Sequence, residues 1–298
     1  MVTGVFDNFV PVHPHASPDA ASRTNMPGGT LQPFWGQKTF CVLTGGSQGI
    51  GRRFAIEFGR KFGKESVLLL LARNAQGLQE TRAKVLEANP DITVVCIPTD
   101  LAKGGAELFR SVIINGLGEA KAAPGDFQLA FIVHNAGSLG NVGPGVAEMN
   151  DSEEWSEFLT LNITSTAVLN SEFLKVFPEN SVPNRTVINI TSLCAIQPFI
   201  SMGQYCVSKA AREMFFKVLA EENPSLDVLS YSPGPVDTDM TVSIINNTRD
   251  AKARQIFIDM KEKKTIVTCE QTTERVMQVL SNKKYKSGQR VDYFDEGY

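Results

Sequence analysis

Tyr205 and Lys209 stand one helical turn apart in Tyr-Cys-Val-Ser-Lys, and Ser192 precedes them at the end of an apolar run. A phenol, a cation and a hydroxyl can complete the reduction of a carbonyl. A hydride delivered to the carbonyl carbon creates an alkoxide, which needs a proton. Tyrosine is a poor acid at its ordinary pKa of about 10 until a neighbouring cation lowers it. Lys209 supplies that cation, and Ser192 can donate to the carbonyl oxygen as an oxyanion-hole donor does. Asn162, in a long helical segment that begins near Asp151, could hold a water that relays protons to Lys209. The alternative is a helix-interior polar residue facing solvent. The Tyr–Lys spacing alone is weak, because any surface helix can carry it.

The hydride donor is read from a glycine turn. Gly45, Gly46, Ser47, Gln48, Gly49, Ile50 and Gly51 follow the short apolar run Phe40–Leu43 and precede helical spacing at Phe54, Phe58 and Phe62. Glycines there let backbone N–H groups approach a pyrophosphate at a helix N-terminus, where the helix dipole favours anions. The spacing is GxxxGxG, not the commoner GxGxxG dinucleotide fingerprint. Lys209 could also hold the ribose beside a bound nicotinamide. At the end of the second apolar run stand Arg73 and Asn74, where an NAD-binding chain places Asp or Glu on the ribose 2′-hydroxyl. A guanidinium there suits a 2′-phosphate, so NADP is the expected cofactor. The alternative is an Arg solvated at a strand end.

These groups need a frame. Apolar runs at Val67–Leu71, Ile92–Ile97, Leu129–Val133, Thr186–Ile190 and Val228–Tyr231 alternate with helical segments at 75–88, about 104–117, from near Asp151, and Gly203–Glu222. Continuous runs read as strands buried on both faces, so the spacing predicts βαβ units and a doubly wound, Rossmann-type parallel sheet in one α/β domain over residues 37–298. Residues 1–36, with five prolines and no hydrophobic period, read as a flexible arm.

The 298 residues are 42% hydrophobic and 20% charged, with a net charge of −3, which argues against a broad nucleic-acid footprint. No apolar run is long enough to span a bilayer, so no membrane partner is expected. Five scattered cysteines with no CxxC read as buried thiols in a reducing compartment. With only three histidines, two of them in the arm, no metal site is expected.

In order, Thr44–Gly51, Asn135-Ala136-Gly137, Ser192, Tyr205/Lys209 and Pro233-Gly234 resemble the short-chain dehydrogenase/reductase superfamily. The stretches His134–Gly140, Asn189–Phe199, Lys209–Met214, Ser232–Met240 and Lys286–Asp292 resemble its pterin-reducing branch. The resemblance implies a cytoplasmic, homodimeric, NADPH-dependent reductase of side-chain carbonyls on pterins, finishing tetrahydrobiopterin synthesis. It implies that Asp100 and Leu101 flank the adenine and that Asn135, Ala136 and Gly137 line the cofactor channel. Val236, Asp237, Thr238, Asp239, Met240 and Thr241 would cover the nicotinamide end. Ser192, Leu193, Tyr205, Gly234 and Asp292 would touch substrate. An Asp292 carboxylate offers two acceptors to the 2-amino group and ring N–H of a pterin; the other reading pairs it with Arg290. Gln48 stands where the family usually has Arg, and His134 where it usually has Asn. Other readings are a general reductase of small diketones or aldehydes and a non-catalytic NADP-binding regulator. The intact Ser192, Tyr205 and Lys209 argue against the latter.

The dimer is expected through helices near 151–177 and 203–222, since Met214, Phe215 and Phe216 are more apolar surface than one buried face needs. Alternatively all three pack inward.

Overall fold

The computed structural model describes residues 33–298. Of the arm read from sequence, residues 1–32 lie outside the described residues. Residues 33–36 group with the domain: Phe34 is buried, its ring 5.5 Å from Phe131, and Trp35 lies 5.3 Å from Phe58.

Seven strands form the sheet: β1 (Thr39–Thr44), β2 (Val67–Ala72), β3 (Thr93–Pro98), β4 (Leu129–His134), β5 (Asn184–Ile190), β6 (Asp227–Ser232) and β7 (Gln289–Asp292). Their order is β3-β2-β1-β4-β5-β6-β7, and every pairing is parallel. The expected doubly wound sheet is therefore the observed one. Between the strands run α1 (Gly49–Lys61), α2 (Ala75–Ala88), α3 (Ala106–Glu119), α4 (Ser152–Leu159), α5 (Ser165–Val176) and α6 (Gly203–Glu222). Three helices between β6 and β7 were not read from sequence: α7 (Asp239–Asn247), α8 (Ala251–Glu262) and α9 (Cys269–Asn282).

Period-two alternation divides the core. Cys41, Leu43, Phe131 and Val133 face Phe54 and Phe58 of α1 and Val276 and Val279 of α9. Phe40, Val42, Ala130 and Ile132 face Phe109 of α3, Phe173 of α5 and Phe216 of α6. Both faces are covered, which is why these strands read as unbroken apolar runs. Each fully buried Phe contributes roughly 1.5–3 kcal/mol.

Two features place the site. The chain leaves β1 toward β2 and β3, then returns to β4 on the other side, opening a crevice at the carboxyl ends of β1 and β4. The long helical segment after Asp151 is broken by a wide five-residue turn, Thr160–Thr164, with Asn162 inside it. Such turns within helices recur at functional sites. Among the described residues, no helix is long and apolar enough to cross a membrane.

Candidate active site

The crevice is walled by backbone. Gly45 and Gly49 take positive φ of 73° and 54°, conformations that only glycine adopts without strain. A Cβ on Gly51 would meet the Gly45 oxygen at 2.1 Å, so the turn closes only with glycine there. The α1 N-terminus has no side-chain cap and no acid in its first turn, so its amides and dipole suit an anion. Ser47 is buried, and its carbonyl accepts from Arg52 at 2.5 Å, holding the turn from behind. Ile50 packs on the core. Gln48 reaches across to α7, where Nε2 donates to Asp239 Oδ2 at 3.0 Å.

Arg73 is exposed at the end of β2, as a 2′-phosphate ligand must be. Asn74 caps α2, accepting from Gly77 N at 2.9 Å, and Asp100 accepts from Ala102 N at 3.2 Å beside the buried Leu101. Thr44 Oγ1 accepts from both Asn135 N and Ala136 N at 3.0 Å, and Asn135 Nδ2 donates to Thr44 O at 3.0 Å. These bonds fix the 135–137 segment against the glycine turn, with Gly137 close to Asn162. The residues present therefore fit a dinucleotide.

The side chains expected to do the chemistry lie beside it. Ser192 Oγ accepts from Cys194 N at 3.2 Å, which leaves its proton free to donate. Leu193 opens the short turn Leu193–Ala195 that carries this bond. Lys209 is buried; its Nζ donates to Ile190 O at 2.7 Å and lies 5.3 Å from the Tyr205 ring centroid. Asn162 is buried rather than solvent-facing: Oδ1 accepts from Ser138 N at 2.8 Å and Nδ2 donates to Phe158 O at 3.0 Å.

The electrostatics differ from the simple expectation. Burial pushes the Tyr205 phenol well above its ordinary value, with Cys194 next; Arg212 and then the Ser192 side chain pull it down. Burial, then Arg212, pushes Lys209 well below its own. In this structure the cation that lowers Tyr205 is Arg212.

Arg212 was not found from sequence. It is almost wholly buried, donating to Asn189 Oδ1 at 2.9 Å, Ala136 O at 3.1 Å and His134 O at 2.6 Å. A signal existed: Arg212 follows Lys209 at i+3 and precedes Phe216 at i+4, placing it on the inward face of α6. His134, at the strand end as expected, is buried against Asn170; burial and then Arg212 lower it to about 3, so it is neutral.

Around the mouth lies the segment after β6. Gly234 has φ of 75° and packs near Phe294 and Tyr293. Val236 bridges Val267, and Asp237 pairs with Lys261 at 2.8 Å. Thr238 precedes α7, and Thr241 Oγ1 donates to Val236 O at 2.6 Å. Met240 packs in a small apolar cluster with Tyr205. Asp292, at the carboxyl end of β7, accepts from Arg290 at 2.9 Å, the second of the two sequence readings. Among the described residues, no group of three or more His, Cys, Asp or Glu is arranged for a metal ion.

A family model for short chain dehydrogenases matches residues 39–249. The chain belongs to the short-chain dehydrogenase/reductase family. Within it, the chain is similar to sepiapterin reductases. It is 39% identical to that of Bos taurus, over 87% of this chain and 96% of that protein. It is 37% identical to that of Meriones unguiculatus, over 86% and 96%. A short-chain dehydrogenase/reductase of Saccharomyces cerevisiae shares the fold with a TM-score of 0.71, at 24% identity over 87% of this chain and 97% of that one.

Proposed function

We propose that this protein reduces side-chain carbonyls on pterins such as sepiapterin and 6-pyruvoyl-tetrahydropterin, with NADPH as cofactor, in the cytoplasm. The observation that carries the reading is the buried Lys209, anchored on Ile190 O at 2.7 Å with its Nζ 5.3 Å from the Tyr205 ring, beside Ser192 and a glycine turn, in a chain so similar to sepiapterin reductases.

NADPH, when bound, supplies the hydride. Gly45–Gly51 and the α1 N-terminus would hold its pyrophosphate, Arg73 its 2′-phosphate, and Asp100 and Leu101 its adenine; Asn135–Gly137 would line its channel, and the 236–241 segment would cover its nicotinamide end. Ser192 donates to the substrate oxygen, and Tyr205 gives the proton that the forming alkoxide takes. Arg212 favours the phenolate left behind, which burial alone disfavours, and Lys209 stands where it would hold the nicotinamide ribose. Asn162, in the wide turn beside this segment, would hold the water that relays protons to Lys209. Leu193, Gly234 and Asp292 complete the substrate side.

Purified protein should oxidise NADPH with sepiapterin, and Tyr205→Phe should lower kcat by ~10²–10⁴-fold while cofactor binding stays nearly intact. Turnover of a small diketone but not of sepiapterin would overturn the pterin assignment. Activity of the variant within a few-fold of the parent would remove Tyr205 as the acid.

Cofactor choice rests on Arg73. Gln48 is tied to Asp239 and adds no cation. Arg73→Asp sets a carboxylate against a dianionic phosphate, so the NADPH-to-NADH ratio of kcat/KM should fall by at least ten-fold. An unchanged ratio would show that another group selects the cofactor.

The protein is also proposed to be a homodimer. Phe216 is buried in the core, while Val207, Met214 and Val218 are exposed along one stripe of α6, with Phe215 beside it. Sedimentation at micromolar concentration should give twice the chain mass; a monomer mass would contradict this.

A further inference from the structure

β7 is four residues long and lies at the sheet edge, paired only with β6. Arg290 and Asp292 project from one face of it, in register with Ser230 and Ser232. The Arg290 side chain is only 12% exposed, and an arginine is rarely so buried unless paired. Its Nη2 donates to Asp292 Oδ2 at 2.9 Å, and its Nε lies 3.9 Å from Glu213 Oε2. Glu213 is itself buried, on α6 one turn beyond Lys209. The same Oε2 accepts from Thr191 Oγ1 at 2.9 Å, and Oε1 lies 3.5 Å from Lys217 Nζ. Thr191 immediately precedes Ser192. The hydrogen-bonded pairs Thr191–Glu213 and Arg290–Asp292 meet through the 3.9 Å Glu213–Arg290 ion pair, which joins the segment after β5, the helix of the proton donor and the edge strand.

We infer that Arg290 is a positioning residue for substrate selection, holding the Asp292 carboxylate in a fixed orientation from the catalytic helix; this rests on the pterin reading above. Buried ion pairs add little net stability compared with apolar packing of equal volume, so stability alone does not account for this chain. Orientation does. Asp292 Oδ2 takes Arg290, and Oδ1 takes Phe294 N at 3.3 Å. With both oxygens held, the carboxylate plane cannot turn. Each oxygen keeps acceptor capacity, since an ionised carboxylate offers about four lone-pair sites. Two coplanar acceptors match the adjacent 2-amino and ring N–H donors of a pterin edge. A small diketone has no such donors and gains nothing from them. Because Glu213 belongs to α6, the anchor is set relative to Tyr205 rather than left to drift with an edge strand.

The test is steady-state kinetics of Arg290→Gln, Arg290→Lys and the double variant Glu213→Gln/Arg290→Gln, with sepiapterin and with a small diketone. Arg290→Gln should raise the sepiapterin KM about ten-fold with kcat within two-fold, and change diketone kcat/KM by less than two-fold. Arg290→Lys, which keeps a charge and a donor for Asp292, should recover most of the lost affinity. The double variant also removes the buried Glu213 charge that Arg290 faces, should fold where the single variant does not, and should show the same KM rise. An unchanged sepiapterin KM, or equal losses on both substrates, would overturn the inference while leaving the pterin reading intact. Absence of sepiapterin turnover in the parent protein would sink that reading, and this inference with it.

Discussion

A full positive charge, Arg212, lies buried on the helix that carries Tyr205, out of contact with water. Burying an unpaired guanidinium costs several kcal/mol even after relaxation, so Arg212 needs compensating oxygens in fixed places. It finds them at the carboxyl ends of β4 and β5 and in the segment that follows β4: His134 O, Asn189 Oδ1 and Ala136 O. The guanidinium therefore ties the two central strands to α6, the helix that carries Tyr205 and Lys209. It also sets the charge of its neighbours. His134 is driven neutral, Lys209 is pushed down, and Tyr205 is drawn back against the effect of burial.

The cofactor side hangs from the same knot. Ala136, whose carbonyl holds Arg212, gives its N–H to Thr44 Oγ1, and Thr44 adjoins Gly45 of the glycine turn. Asn162 holds the other end of this segment at Ser138 N. A displacement of Arg212 is thus felt at the glycine turn and at Tyr205 together. This geometry explains why the break in the helix after Leu159 matters: the wide turn brings a buried Asn to a main-chain N–H that a regular helix would leave elsewhere.

Much of this was legible in the sequence, for physical reasons. Strands covered on both faces have to be continuous apolar runs, so β1, β2, β4, β5 and β6 announced themselves within a residue or two. The glycine turn was legible because its backbone admits little else. The Tyr205–Lys209 spacing is a helical period. What stayed hidden depends on tertiary contact. Phe34 and Trp35 read as part of a proline-rich arm, because nothing local reveals that Phe131 and Phe58 receive them. Of the three helices not read, α8 buries no residue and so lacks a core-facing stripe, whereas α9 carries one at Thr272, Val276, Val279 and Leu280 that was legible and went unread. Arg212 and Glu213 carry charge, so the helical spacing that turns Arg212 inward went unused; only the fold supplies the oxygens and the Thr191 hydroxyl that receive them.

If Arg212 is the group on which the site is built, removing it must destabilise the protein beyond the loss of one side chain. Arg212→Met keeps volume and leaves three buried acceptors unpaired, each worth roughly 1–3 kcal/mol. Urea unfolding of Arg212→Met beside the parent protein, at unchanged m-value, is the direct measurement. The account predicts a loss of about 3 kcal/mol or more. A loss under about 0.5 kcal/mol, the range of ordinary surface substitutions, would contradict it.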